Sequence, residues 1–385
     1  MDFKLSEEER MIRELARGIV TREITPEMEA HDRERPLPKE AMLKIYAALL
    51  PLGLNNRMLA EDEGGSGLSY LGYGLIFEEL PTEVAFSVMA HERTIARLLQ
   101  WGNPEQQKRF LPGLVDGTKI ASFGLSEPNA GSDPRSVETR AQMEGGTVLI
   151  NGTKLWITNA SISDLMVAVV SLGRGEGERN TTARVAIERE VSPFSAVEVP
   201  AIGLKQGHLC EVQFEDCRVP AENLLGESGD TNKALGLIWL GNRPLVGLMA
   251  VGMAQKALDA CIAYVGQRKQ FGRKIGEFQL VQQMLSEMAV GVDASRLLCY
   301  RALVNLDEGV LSAKEASMAK WFATENCLAA LKLAIQVHGA IGLTLATGIE
   351  RLYRNAIMLT FPDGTSQIQQ LIIGRELTGI SAIRG

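Results

Sequence analysis

Four stretches of the sequence carry residue types that could do chemistry. Gly124-Leu125-Ser126-Glu127-Pro128-Asn129-Ala130-Gly131-Ser132-Asp133 is built from small and polar residues, which let backbone N–H groups approach an anionic or heteroaromatic ligand closely. The same composition also makes a plain surface turn. Lys154-Leu155-Trp156-Ile157-Thr158-Asn159 offers a flat aromatic and a hydroxyl along one strand, although a strand tryptophan taken singly is commonly a core residue. Arg268-Lys269-Gln270-Phe271-Gly272-Arg273, followed by Phe278-Gln279, gathers donors suited to a pyrophosphate, with arginine as the fork-shaped partner; it also reads as a solvated loop between helices. Phe361-Pro362-Asp363-Gly364-Thr365-Ser366-Gln367 sets a carboxylate in a turn before an apolar helix, a place where Asp and Ser are ordinary capping residues too.

Competing chemistries lack their residues. His31, His91, His208 and His338 are scattered, with no HExxH and no His-carboxylate spacing typical of a metal site. No GxSxG, Walker loop or GxGxxG follows a strand, so serine hydrolase, P-loop and Rossmann dinucleotide readings have no support. The charge balance, 40 Lys+Arg against 47 Asp+Glu for a formal −7, provides no basic excess for a sequence-independent grip on nucleic acid. Five cysteines (Cys210, Cys217, Cys261, Cys299, Cys327) form no CxxC pair, which argues against a disulfide framework or structural zinc and for a reducing, cytoplasmic compartment. The charged N-terminus lacks a secretory h-region. Leu237 to Ala254, the most apolar long stretch, is interrupted by Asn242, Arg243 and Pro244, so no membrane span is expected.

The elements that must position these residues fall into three blocks. At 385 residues with 45% hydrophobic and 23% charged, the chain fits two or three globular domains. Residues 1–120 read as a helical domain: Ser6-Glu7-Glu8-Glu9 is a capping box before apolar residues at helical spacing, and the spacing recurs over Lys39–Leu50, Tyr70–Leu80 and Phe86–Trp101. Residues 121–230 read as a β domain, with strand-like runs at Leu165–Leu172, Arg184–Ile187, Ala196–Val199 and Glu211–Phe214. Within it Asn151-Gly152, between Val148–Ile150 and Lys154–Thr158, predicts a hairpin turn. Asn151-Gly152-Thr153 also matches a glycosylation acceptor, read here as part of that turn. Residues 231–385 return to helical period over Leu245–Tyr264, Gln279–Leu306, Ala313–His338 and Gln367–Leu377, a four-helix bundle. The fold class expected is mainly α with a central β domain, without the alternation of a doubly wound sheet.

In this order and at these separations, the motifs closely resemble the acyl-CoA dehydrogenase family over nearly the whole chain. Phe214-Glu215-Asp216 with Val219-Pro220-Ala221-Glu222-Asn223-Leu224-Leu225-Gly226, Gln336-Val337-His338-Gly339 with Gly342, and Gly364-Thr365-Ser366-Gln367-Ile368-Gln369 extend the match. The resemblance implies a helical domain, a β-barrel-like domain and a helix bundle, assembled as a homotetramer, with FAD held between domains and across a subunit interface. By matched motif, Phe123, Leu125, Ser126, Trp156 and Thr158 would surround the isoalloxazine, with Thr158 near N5, and Gly131 and Ser132 would belong to the same cofactor and substrate loop. Arg268, Phe271, Gln279, Gln336 and Gly339 resemble residues reaching the adenine and pyrophosphate half of a neighbouring subunit's FAD. Thr365 and Gln367 resemble residues contacting FAD beside the base. Arg243 matches a residue that holds the CoA thioester, Gly364 adjoins the substrate, and His91 and Glu92 fall where helix residues line the acyl pocket. In the family Gly339 is often followed by a second glycine; here Ala340 follows.

The chemistry implied is removal of the α-proton of an acyl thioester by a carboxylate, with the β-hydrogen leaving as hydride to flavin. Family members usually place glutamate before the Gly-Thr-Ser run, and a minority place it before the helix arginine. This sequence has Asp363 at the first position and Asn242 at the second, so Asp363 is the candidate base. Aspartate is one methylene shorter, a retreat that a substituted or closely held α-carbon would offset, and the sequence resembles members acting on alicyclic acyl-CoAs such as cyclohexanecarboxyl-CoA. Two other readings stand beside it. Nitroalkane oxidase, in the same superfamily, also uses aspartate here, although Gly364-Thr365-Ser366-Gln367 is closer to the acyl-CoA form. A flavin-binding homologue that has lost activity would lack the glutamate. For a dehydrogenase, the family's electron acceptor is electron-transferring flavoprotein.

Overall fold

The structure, a computed structural model, describes residues 4–134, 136–174, 180–227 and 232–382. The chain opens on α1 (Glu7–Ile19), where Ser6 and Glu9 close the expected capping box. A π-helical turn, Val20–Ile24, leads into α2 (Thr25–Glu29), followed by α3 (Lys39–Leu49), α4 (Tyr70–Glu79), α5 (Thr82–Trp101), α6 (Pro104–Phe110) and α7 (Pro112–Val115).

Among the described residues seven strands follow: β1 (Ala121–Gly124), β2 (Arg140–Glu144), β3 (Thr147–Thr158), β4 (Leu165–Arg174), β5 (Asn180–Glu188), β6 (Ser195–Glu198) and β7 (Leu209–Pro220). They form one sheet in the order β1-β4-β2-β3-β7-β6, with β5 on the other edge of β4. This is the curled middle β domain. The hairpin turn expected at Asn151-Gly152 lies elsewhere. Gly145-Gly146 joins β2 to β3, pairing Glu144 with Thr147, and β3 runs on through Asn151 as a continuous strand. Asn151 instead marks a bulge against β7, where its side chain donates to Asp216 Oδ1 at 3.0 Å and accepts the Asp216 N–H at 2.8 Å. Asp216 adopts a φ of +47° there. An Asx side chain satisfying a bulged partner strand looks, in sequence, like a turn residue.

The last block comprises α8 (Asn232–Val265), a two-stranded hairpin β8 (Lys269–Gln270) and β9 (Arg273–Lys274), α9 (Gln279–Asp307), α10 (Ala313–His338), α11 (Ile349–Met358) and α12 (Ser366–Thr378). α8 does not begin after Pro244 as its sequence suggests but runs through it. Burial of Leu240, Leu245, Val246 and Leu248 on both sides outweighs the roughly 3 kcal/mol that an interior proline costs. α11 had no counterpart among the expected helices. Gly236–Gln267 and Ala313–Leu343 are each long and apolar enough to cross a membrane by length and composition; 72% and 39% of their apolar windows are buried within the protein. The expected boundary between 230 and 231 and most of the polar stretch after Gly173 lie outside the described residues.

Helices from the two ends of the chain share one apolar core, in which Tyr73, Phe77 and Val84 pack with Leu245, Leu248, Cys299 and Leu303. The sheet encloses a second core around Val148, Ile150, Met166, Val185 and Val212. A third joins α5 to the sheet through Ile95, Leu98, Trp101, Ala121, Leu165 and Val167. These junctions bring α5, β1, β3, α8 and the loop before α12 together.

Candidate active site

Asp363 sits in the turn between α11 and α12 at φ +53°, followed by Gly364 at +98°. Left-handed backbone is uncommon for residues other than glycine, and aspartate tolerates it better than most. The turn is held by its carbonyls. Lys320, fully buried on α10, donates to Thr360 O at 3.0 Å and to Gly364 O. Gln369, on α12, donates to Asp363 O at 2.9 Å and Gly364 O at 2.8 Å. Thr365 caps α12 by accepting the Ile368 N–H. With its backbone held on both sides, the Asp363 carboxylate keeps Oδ2 buried and without a hydrogen-bond partner. Burial pushes the Lys320 ammonium down to about 7, opposed by the charge of Asp363 and assisted by that of Arg243.

Arg243, in the middle of α8, adjoins this turn, its Nε 3.4 Å from Asp363 O. Burial draws its guanidinium down to about 10 against the opposing charge of Asp363. The neighbouring Asn242 is buried, with Oδ1 unpartnered.

The wall opposite is built from β1 and β3. Between Lys154 and Ile157 the pairing with β7 shifts register, and Trp156 takes φ +66° within that bulge. The bulge turns the indole out of the sheet and leaves it 54% exposed. Thr158, two residues on, has no side-chain hydrogen bond among the described residues. The Gly124–Asp133 stretch is anchored to this strand: Leu155 N–H donates to Ser126 O at 2.9 Å, and the buried ammonium of Lys154 meets Glu127 Oε1 at 2.6 Å and Leu125 O at 3.2 Å. Burial lowers Lys154 to about 8, offset by Glu127. Burial alone would raise the Glu127 carboxyl, but Lys154 and the N–H groups of Glu138 and Thr139 bring it below its ordinary value. Gly131 and Ser132 are exposed at the tip of the loop.

α5 forms the third side. His91 and Glu92 are both fully buried, so neither lies in solvent. Both nitrogens of His91, expected to line the acyl pocket, are engaged within the protein: Nδ1 accepts the Ala121 N–H at 3.0 Å and Nε2 bonds Leu114 O at 2.9 Å, so the ring ties α7 to β1. Glu92 accepts from Tyr73 Oη at 3.1 Å and lies 3.5 Å from Arg57 Nε and 3.3 Å from Arg93 Nε. One turn further on, Arg97 lays its guanidinium 3.6 Å from the centre of the Phe123 ring, joining α5 to the wall.

The residues expected to reach a neighbour's FAD collect at one end of the bundle. Tyr264 and His338 stack at 4.5 Å, bringing the end of α8, four residues before Arg268, against the end of α10, where Gln336 lies in the last turn and Gly339 caps it. Phe271 tips the β8–β9 hairpin, 94% exposed at φ +51°, and Gln279 opens α9 after it. Among the described residues no hydrogen bond or ion pair joins this group to Trp156, Thr158 or Asp363. Gln367 lies in an open groove between α10 and α12 with Trp321, Glu325 and Asn326.

Arg57, Arg93, Arg97 and Lys320 escaped the sequence reading, and Gln369 entered it only within a matched run, without a role. Arg93 and Arg97 at i, i+4 on α5 were the available signal; Lys320 had none, because its partners are carbonyls 40 and 44 residues away.

Comparison with known proteins agrees with this architecture. Residues 6–118, 122–217 and 240–378 match the N-terminal, middle and C-terminal domains of acyl-CoA dehydrogenase. The chain belongs to the acyl-CoA dehydrogenase family. It is 35% identical to a probable acyl-CoA dehydrogenase, YngJ, of Bacillus subtilis (strain 168), over 98% of this chain and 100% of that protein. Butyryl-CoA dehydrogenase from Megasphaera elsdenii is similar in structure, with a TM-score of 0.90 and 29% identity over 98% of this chain and all of that one. The FAD complex of PigA is also similar, with a TM-score of 0.90 and 27% identity over 98% of this chain and 99% of that one.

The protein is an oxidoreductase acting on acyl-CoA, with FAD as its cofactor. Its residues fit that group: the Trp156 indole, held out of its strand by a left-handed bulge, and the Thr158 hydroxyl, without a partner among the described residues, offer a flat apolar face and a donor beside it.

Proposed function

We propose that the protein carries out α,β-dehydrogenation of an acyl-CoA thioester with Asp363 as base, on an alicyclic or branched acyl group. The observation that carries this reading is the Asp363 carboxylate, buried at Oδ2, unpartnered, and set on a turn held by Lys320 and Gln369. A base needs a free lone pair in a fixed place. The carboxylate takes the α-proton and becomes the neutral acid, while the electrons of that C–H bond form the double bond as the β-hydrogen departs as hydride. Bound FAD supplies the acceptor for that hydride. Arg243 places positive charge beside the turn and holds the thioester end of the substrate; Gly364 and Ser132 border it. Phe123, Leu125, Ser126, Trp156, Thr158, Thr365 and Gln367 hold the flavin ring, and Arg268, Phe271, Gln279, Gln336 and Gly339 reach a neighbouring subunit's FAD in a homotetramer. The short reach of aspartate favours an α-carbon carrying a ring or branch over a straight chain. Electron-transferring flavoprotein receives the electrons, and the five buried free thiols support a reducing, cytoplasmic setting.

Anaerobic titration of the flavin-loaded protein with straight, branched and cyclohexane-type acyl-CoAs tests this. Bleaching by an alicyclic thioester, lost in Asp363→Asn with thioester binding retained, is the expected result. Bleaching by nitroethane alone would move the activity to nitroalkane oxidation, and a flavin that none of these compounds bleaches would overturn the reading.

A further inference from the structure

The site holds more buried positive charge than its own residues neutralise. Arg57, Arg93 and Arg97 are each at most 8% exposed, and the carboxylate set among them is Glu92. Glu92 lies within ion-pair distance of Arg57 and Arg93 yet satisfies neither Nε with a hydrogen bond, and Arg93 Nη2 is also buried without a partner. Arg97 has no hydrogen bond or ion pair among the described residues; its Nε is buried and its guanidinium lies on Phe123. Burial and the like charge of Arg93 lower it to about 9, with Asp363 and Glu92 opposing. Arg93 reaches across to α8, where a β-carbon at Gly241 would stand 2.9 Å from its Nη2, two residues before Arg243. The Asp363 charge acts on Arg93, Arg97 and Arg243 alike. Once Asp363 takes a proton, that balancing charge disappears.

Buried guanidinium groups are ordinarily paired, and unpartnered donors in such a place need an acceptor. A purely hydrocarbon acyl group would leave them as they are. We infer that the acyl group carries an anionic substituent, a carboxylate remote from the thioester, received by Arg93 and Arg97 beside Phe123. Arginine suits a carboxylate through two parallel N–H donors, and the aromatic rings of Phe123 and Tyr73 fix the planes of the guanidinium groups. The ring or branch that suits Asp363 and the anion that suits the arginines are compatible in one substrate, a mono-CoA thioester of a dicarboxylic acid. This rests on the acyl-CoA reading above. The CoA phosphates are a second source of anion, and the test separates them because every ligand in it carries CoA.

Equilibrium binding to the anaerobic holoenzyme is measured by calorimetry and flavin difference spectra for matched pairs: succinyl-CoA with butyryl-CoA, and the mono-CoA thioester of cyclohexane-1,4-dicarboxylate with cyclohexanecarboxyl-CoA. The carboxylate member of at least one pair is expected to bind about 10-fold or more tighter, and Arg97→Met to bring that pair within about 3-fold of parity. Parity in the parent protein overturns the inference without needing any variant. Equal weakening of both members by Arg97→Met also overturns it, assigning the arginine to the CoA phosphates or to the fold. Failure of every thioester to bind would instead sink the acyl-CoA reading itself. Arg97→Lys, which keeps the charge but loses the fork, is expected to retain part of the preference if the parent shows one.

Discussion

Lys320 holds Asp363 in place without touching its carboxylate: the ammonium bonds the carbonyls of Thr360 and Gly364, on either side of the aspartate. The proposed base is thereby positioned through its backbone, and its Oδ2 has no hydrogen-bond partner among the described residues. Lys320→Met is expected to lower kcat by about 10- to 100-fold with KM changed much less, because the carboxylate loses its fixed position and the thioester contacts remain. Gly364 O keeps its bond from Gln369 Nε2, but the Thr360 carbonyl left unpaired should also cost roughly 1–3 kcal/mol, read by urea unfolding. A kcat within twofold of the parent would show that the turn holds itself.

Substituting Asp363 by glutamate adds the missing methylene at the same turn. The carboxylate then reaches further, so the ratio of kcat/KM for straight-chain over alicyclic thioesters should rise by about 10-fold or more. Glutamate tolerates φ +53° less well than aspartate, and a stability loss on the order of 0.5–1 kcal/mol should accompany the gain. An unchanged ratio, measured by stopped-flow bleaching, would remove the reach of the base as the source of substrate preference.

What could be read in the sequence was what local pattern encodes. The Ser6 capping box and the spans of α3, α9 and α10 agree with helical periodicity to within a residue or so. Asn151-Gly152 misled because a bulge and a turn draw on the same residues, and Pro244 because burial of a long helix overrides a local preference. Asp363 was legible as a carboxylate in a turn, but the cations that hold or surround it were not. Lys320 and Arg97 take their meaning from a carbonyl and a ring far away in the chain, and such contacts leave no spacing to recognise.

His91 offers a stability test with a defined sign. Burial depresses its imidazole to about 4, against the opposing influences of the Leu114 carbonyl and Glu92, from an unfolded value near 6.5. Between these values the unfolded chain binds the proton and the native ring does not. Stability from this residue is therefore complete above about pH 6.5 and falls as pH drops toward 4, by on the order of 3 kcal/mol over the window. Urea midpoints at pH 7 and 5 should differ more in the parent than in His91→Gln, which cannot titrate. Equal pH dependence in the two proteins would count against a neutral, doubly bonded His91.

Phe271 leaves a large aromatic almost wholly in water on one chain, at the tip of a hairpin where both Phe271 and Gly272 have positive φ. Such a two-residue turn prefers Asn-Gly to Phe-Gly, so the ring is retained against local preference. Burying it on a second subunit would return about 1.5–3 kcal/mol per copy. Phe271→Asn therefore separates the two roles, since it suits the turn and removes the contact. The variant protomer is expected to unfold at the same or higher denaturant concentration when stripped of flavin and held as a monomer. At micromolar concentration the tetramer proposed above should dissociate more readily in sedimentation velocity, and the flavin content should fall by at least about half. Sedimentation and flavin occupancy equal to those of the parent would place Phe271 outside both the interface and the cofactor site.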